Sequence, residues 1–165
     1  MKILIVFYSL TGNTQEIANA IASTFGGEML EIKTKKSISK GPMRYFWGGR
    51  QVMTKEVPEL QPLVKNAADY DFIFLGTPVW AGNFVPAVKS FLRQNKLRRK
   101  KIALFAAHAG GPGNMFELLK KEIADNGIGN EIVGENDFKM QHITPDQRKK
   151  NLEEARDWAR EVIKK

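Results

Sequence analysis

The sequence predicts a doubly wound α/β domain, a parallel sheet between two layers of helix. Three observations carry this. Apolar runs recur along the chain without polar-apolar alternation, as expected of strands buried on both faces of a parallel sheet. Helical patterns fall between those runs, so that each strand can be followed by a right-handed crossover to the next. The first strand leads directly into a hydroxyl- and glycine-bearing turn at a helix start, Ser9-Leu10-Thr11-Gly12-Asn13-Thr14.

Taken in order, the first apolar run is Ile3–Tyr8, and the helix after it covers about Asn13 to Phe25. That helix presents Ile17, Ala20, Ile21 and Phe25 inward and stops at Gly26-Gly27. Met29–Ile32 is the second strand. The stretch from Thr34 to Ala68 is long for a connection and rich in Gly, Pro, aromatic and basic residues, so at most short helices are expected there. Within it, Tyr45-Phe46-Trp47-Gly48-Gly49 reads either as a hydrophobic flap or as a set of aromatics that dock the segment onto the sheet; docking is favoured for Phe46. Asp71–Leu75 is the third strand, followed by a helix carrying Val85, Val88, Phe91 and Leu92. Ile102–Ala107 is the fourth, followed by a helix over Met115–Asp125 with Phe116, Leu119 and Ile123 inward and an end at Gly127. Glu131–Phe138 is the fifth. The last helix has the strongest start signal, Thr144-Pro145-Asp146-Gln147, which combines an N-cap, a Pro at the first helical position and a capping-box Gln. Leu152, Ala155, Trp158, Ala159 and Val162 then form one stripe.

At 165 residues and 42% hydrophobic, the chain fits one domain with a real core. No apolar run approaches the roughly 20 residues of a membrane helix, so no membrane span is expected. Met1-Lys2 leads straight into a core strand, from which a cytoplasmic location without a signal peptide is expected. Zero cysteines exclude thiol chemistry and thiolate metal sites. The net charge of +8 is concentrated in two places. Lys33, Lys35, Lys36, Lys40, Arg44, Arg50 and Lys55 lie in a stretch without an acid, and a second cluster runs from Arg93 to Lys101. The second follows a helix, so a solvated end favoured by the helix dipole explains it better than a binding site. A nucleic-acid-binding module would account for the charge but not for the turns described next, and nucleic acid is not expected as a partner.

The segment from Ser9 to Thr14 offers three hydroxyls, a glycine that admits close backbone approach and the free N–H groups of a starting helix. Together these make a phosphate cradle without a lysine. A plain turn capped by Thr11 or Asn13 needs one such residue rather than four. The absence of Gly-Lys-Ser/Thr argues against an ATP or GTP loop, and the absence of Gly-x-Gly-x-x-Gly against a dinucleotide fingerprint. Flavin mononucleotide (FMN) remains.

Here the chain resembles the flavodoxin family, whose phosphate loop reads Thr/Ser-x-Thr-Gly-x-Thr. Gly76-Thr77-Pro78-Val79-Trp80-Ala81-Gly82-Asn83 and His108-Ala109-Gly110-Gly111-Pro112-Gly113-Asn114 resemble that family's two ring-binding loops, and the resemblance covers nearly the whole chain. It implies a flavodoxin-like sheet of five parallel strands in the order 2-1-3-4-5, in three layers, over a single domain 1–165, with the flavin outside the carboxyl ends of the strands. The implied FMN contacts are Ser9, Leu10, Thr11, Gly12, Asn13 and Thr14 in the first loop. In the ring loops they are Thr77, Pro78, Val79, Trp80, Gly82 and Asn83, with His108, Ala109, Gly110, Gly111 and Gly113. No residue is expected to be catalytic and none to bind a metal, because the flavin performs the electron chemistry.

Trp80 is expected to stack on the isoalloxazine ring, against the alternative of packing on the following helix. The resemblance implies that a Gly peptide near Gly82 can turn its carbonyl toward flavin N5 on reduction, while Asn83 can also cap the next helix. His108 reads as a contact to the ring or to a phenol-like substrate, or, more often for such a His, as a hydrogen-bonded structural residue. Two departures from the family's carriers stand out. The loop after the fourth strand has glycines where carriers commonly place a second aromatic, which leaves a ring face open unless Trp47 or a neighbour covers it. The chain is also basic where carriers are generally acidic, and nearby Lys and Arg would stabilise an anionic reduced flavin. Two functions follow: an electron carrier serving redox protein partners, or a small FMN-dependent NAD(P)H oxidoreductase acting on a quinone or similar acceptor.

Overall fold

The computed structural model describes residues 1–36 and 57–165. Strand β1 (Ile3–Phe7) leads into α1 (Asn13–Phe25) and β2 (Glu28–Glu31); later come β3 (Phe72–Trp80) and β4 (Asn83–Phe84). The chain continues through α2 (Pro86–Asn95), β5 (Lys101–His108), α3 (Met115–Asn126), β6 (Glu131–Lys139) and α4 (Pro145–Val162). The long strands pair in parallel in the order β2-β1-β3-β5-β6. This is the expected 2-1-3-4-5 order, with β4 added as a short antiparallel partner at the end of β3.

The sheet is covered on both faces because its strands have no polar face to show water. Every side chain from Leu4 to Phe7 is buried. Leu4 and Val6 join Leu75, Val88, Phe91, Leu104 and Leu119 on the α2/α3 side. Ile5 and Phe7 join Ile17, Ile21, Phe74, Phe105, Ala155 and Ala159 on the α1/α4 side. Successive residues of a strand point to opposite faces, so an all-apolar strand requires two cores. The capping box of α4 forms as expected: Thr144 Oγ1 accepts the Gln147 N–H at 3.2 Å and Gln147 Oε1 accepts the Thr144 N–H at 2.9 Å.

The third strand is longer than its apolar run. Gly76, Thr77 and Pro78 stay opposite Phe105, Ala106 and Ala107 of β5. A proline is tolerated there because β1 stops pairing at Phe7, opposite Gly76, and asks for no further N–H. Gly76 marks a crowded point of the core rather than the start of a loop, since a Cβ there would lie 2.1 Å from Phe105 Cζ. The fifth long strand contains a bulge. Ile102 faces Ile132, but Ala103 faces Gly134, so Val133 is the extra residue. Without it the register would bring Asn136 opposite Ala106; with it Asp137 takes that place.

The ends of the irregular connection close on each other. Lys35 N–H donates to the Glu59 carbonyl at 2.9 Å, Gln61 N–H to the Lys33 carbonyl at 2.8 Å, and Leu60 joins the α2/α3-side core. Lys33 and Lys35 pair with Glu31 and Glu59, acids that flank the basic stretch in sequence. Lys40, Arg44, Arg50, Lys55 and the Tyr45–Gly49 aromatics lie outside the described residues. The second basic run sits where β5 begins, at the opposite end of the sheet from the predicted loops. There Lys100 Nζ donates to the Ala68 and Tyr70 carbonyls, Lys101 Nζ to the Lys165 carbonyl, and Arg93 pairs with Glu122. Three of its cations thus hold the fold together.

Candidate functional site

Because β1, β3 and β5 are adjacent and parallel, the connections after them meet beyond their carboxyl ends. Ser9 organises the first. Its Oγ accepts the N–H of Gly12 at 3.1 Å and of Gln15 at 3.3 Å, and its own O–H is left to donate. Gly12 takes the N-cap position of α1 at φ 90°, where a side chain would be strained, although a Cβ would meet no atom of the described residues within 4 Å. Neither Thr11 nor Asn13 is therefore spent as the cap. Among the described residues nothing accepts the backbone N–H groups of Asn13 and Thr14, two of the donors a helix start leaves open. Thr14 is buried. Beside the loop lies a hollow of about 280 Å³ lined by Thr11, Asn13, Met140, Gln141, His142, Ile143 and Arg148.

The connection after β3 is a hairpin rather than an irregular loop. Val79 pairs with Phe84 and Trp80 with Asn83, which leaves Ala81 and Gly82 as a two-residue turn at φ 50° and 71°. Two positive φ values are what a tight hairpin turn demands. Thr77 is one of the expected cofactor contacts. It is fully buried, its Oγ1 donates to the Pro78 carbonyl at 2.8 Å and accepts the Val85 N–H at 3.2 Å, so the hydroxyl fastens the hairpin to the start of α2. Asn83 does not cap α2 either. That position belongs to Val85, and Asn83 Oδ1 accepts the adjacent Phe84 N–H at 2.7 Å. Pro78, Val79 and Gly82 are half-buried along the same hairpin.

Trp80 is half-buried against the α2/α3-side core and meets the Tyr8 ring at 5.9 Å and 89°. Tyr8 is a site residue the sequence reading did not select, and its signal is plain: a phenol closing an aliphatic strand immediately before Ser9. Burial, and secondly the charge of Glu31, push its pKa above the usual tyrosine value. His108, at the end of β5, places Nε2 2.7 Å from Asp137 Oδ1, and its Nδ1 is buried without a partner among the described residues. The bulge in β6 is what brings this aspartate to the histidine's face.

Gly113 stands at φ 57°, and a Cβ there would lie 2.8 Å from Gly82 Cα, so the connection after β5 rests backbone on backbone against the hairpin. Around Gly110 and Gly111, in contrast, a Cβ would meet no atom of the described residues within 4 Å; Ala109 beside them is exposed. None of the three connections carries a Lys, Arg, Asp or Glu between residues 9–14, 76–83 and 108–114.

A family model described as flavodoxin matches residues 2–141. The chain belongs to the flavodoxin family. Among solved structures, a Bacteroides eggerthii DSM 20697 protein provisionally described as a flavoprotein has TM-score 0.78 at 21% identity, covering 98% of each chain. A Lactobacillus acidophilus NCFM flavoprotein in complex with FMN has TM-score 0.67 at 23% identity, covering 82% of this chain and 92% of that one. At these identities the likeness is one of fold. A sequence relative, NAD(P)H dehydrogenase (quinone) 3 of Rhizobium meliloti strain 1021, is 27% identical over 141 residues, 81% of this chain and 66% of that protein. The flavodoxin fold thus places the hydroxyl-bearing loop, the hairpin and the glycine connection together at one end of the sheet. No helix among the described residues is long and apolar enough to cross a membrane.

Proposed function

We propose that the chain binds one FMN noncovalently beyond the carboxyl ends of β1, β3 and β5 and works as a flavodoxin-like electron-transfer protein of the cytoplasm, serving redox protein partners. The observation that carries this reading is the β1–α1 loop, where, among the described residues, hydroxyls with a hydrogen left to donate, two open N–H groups and unfilled space over Gly12 converge on a helix start. The residues fit the group. Ser9, Thr11, Asn13 and Thr14 would hold the phosphate; Trp80 with Tyr8 behind it, Gly82, and the open Ala109-Gly110-Gly111 stretch would hold the ring. The phenol of Tyr8 stays protonated at neutral pH, so no second negative charge faces the flavin from that side. Bound FMN supplies the electron transfer itself. The protein excludes water from one ring edge and fixes the orientation.

A second reading is a small FMN-dependent NAD(P)H oxidoreductase reducing a quinone. The side-chain-free stretch at Gly110-Gly111 and the Rhizobium meliloti relative favour it. One experiment separates the two. After loading with FMN, flavin absorbance is followed without oxygen while NADH or NADPH is added, then a quinone or a reductase protein. Rapid, saturable bleaching by the nicotinamide alone assigns the oxidoreductase; bleaching only with the reductase assigns the carrier. Failure to retain FMN through desalting removes both.

A further inference from the structure

The loop that faces the phosphate is the end of a hydrogen-bond chain that begins on α4. Arg148 Nη2 donates to the Met140 carbonyl at 2.7 Å and to Asn13 Oδ1 at 3.3 Å; its Nη1 donates to Glu16 Oε2 at 2.7 Å and to Asn13 Oδ1 at 3.4 Å. A guanidinium can only donate, so Asn13 must turn its oxygen toward Arg148 and its NH2 away. That NH2 donates to Thr11 Oγ1 at 3.2 Å. Having accepted, Thr11 keeps its single O–H hydrogen for another acceptor. The bonds run in one direction, from a fixed cation to a hydroxyl on the loop, and each polarises the next.

We infer that Arg148 is a positioning residue of the phosphate site: acting through Asn13, it sets the Thr11 hydroxyl as a donor to a phosphate dianion that Arg148 itself does not touch. The inference rests on the FMN reading and gives a loop without lysine its cation. Glu16 makes that cation necessary, because a carboxylate in the first turn of α1 repels a neighbouring dianion and the Arg148 pair offsets it. The bond to Met140 anchors the guanidinium to the β6–α4 connection. Its place is therefore fixed before a ligand arrives.

The test compares FMN with riboflavin, which lacks the phosphate, for Arg148→Met, Asn13→Ala and the double variant. All are made with Glu16→Gln, so that the carboxylate's own repulsion drops out, and the melting temperature of each is recorded. Loss of one oriented donor to a charged group should weaken FMN about tenfold in Arg148→Met and leave riboflavin within about twofold. In the Asn13→Ala protein the same replacement should change FMN affinity by less than about twofold, since the chain is already broken. Equal weakening of both flavins, or a full tenfold effect in both backgrounds, overturns the inference. A parent protein that binds riboflavin as tightly as FMN instead removes the phosphate reading, and the inference falls with it.

Discussion

At the β1–α1 turn, Ser9 accepts two backbone N–H groups from within and Arg148 reaches the Asn13 side chain from α4, while no atom of the described residues lies above Gly12. The turn after β3 and the one after β5 in addition meet backbone to backbone, Gly113 against Gly82. The difference divides the work of recognition. A turn held by hydrogen bonds can present donors to a particular charge, whereas two turns pressed together define a slot of fixed width. The first should discriminate by chemistry and the second by shape.

The largest effect is expected where shape is set. Gly113→Val puts a branched side chain at φ 57° and into Gly82, so strain of about 1–3 kcal/mol before any clash should weaken FMN and riboflavin alike. Fluorescence titration with both flavins checks it, and wild-type affinity for either would show that the slot is not where the ring sits. Thr11→Ala or Thr14→Ala should act on chemistry alone. Losing a charge-assisted hydrogen bond worth about 1.5–3 kcal/mol weakens FMN roughly tenfold or more and spares riboflavin. A parallel loss of riboflavin would erase the distinction between the two regions.

A smaller effect belongs to Trp80→Ala, which should remove about 0.5–1.5 kcal/mol beyond burial and most of the quenching of flavin fluorescence. If Trp47→Ala changes both while Trp80→Ala changes neither, the stacked indole lies outside the residues described here. The smallest concerns Tyr8. Folding raises its pKa through burial and Glu31, so the stabilised form is the protonated one. Its contribution is complete below about pH 10, the unfolded value, and is lost as pH climbs through the folded value. Melting temperature should fall in that alkaline range. Tyr8→Phe should flatten part of the fall; Tyr70, raised by burial and then by its hydrogen bond to Glu28, and Lys65, Lys120 and Lys121, raised by hydrogen bonds to Glu28, Glu117 and Asp125, act in the same direction. An unchanged profile in Tyr8→Phe would place the phenol in water.

Much of this was legible in the sequence, for a physical reason: strands buried on both faces write uninterrupted apolar runs, and the order of the long strands came out as the family resemblance implied. What stayed hidden depends on partners distant in the chain. Gly76 reads as punctuation until Phe105 is seen lying across it. Nothing local says that the Thr77 hydroxyl bonds to the N–H of Val85, on the far side of the hairpin. The hairpin was missed because its first turn residue is Ala81, where a Gly or Asn is the usual mark of a positive φ. The link from Arg148 to Asn13 joins the two ends of the chain, and no local pattern announces it.

The bulge at Val133 also bears on what happens when many molecules meet. An open sheet ends in two strands with unpaired backbone, and such borders recruit strands from neighbouring molecules into ribbons. Among the described residues one border is β2, four residues long and beginning at Glu28, which is tied to Lys65. The other, β6, is broken by the extra residue and carries Glu131, Glu135, Asp137 and Lys139. A foreign strand would find one border too short and the other out of step and charged. The longest apolar runs, β1, β3 and β5, lie between these two borders, where neither edge exposes their backbone.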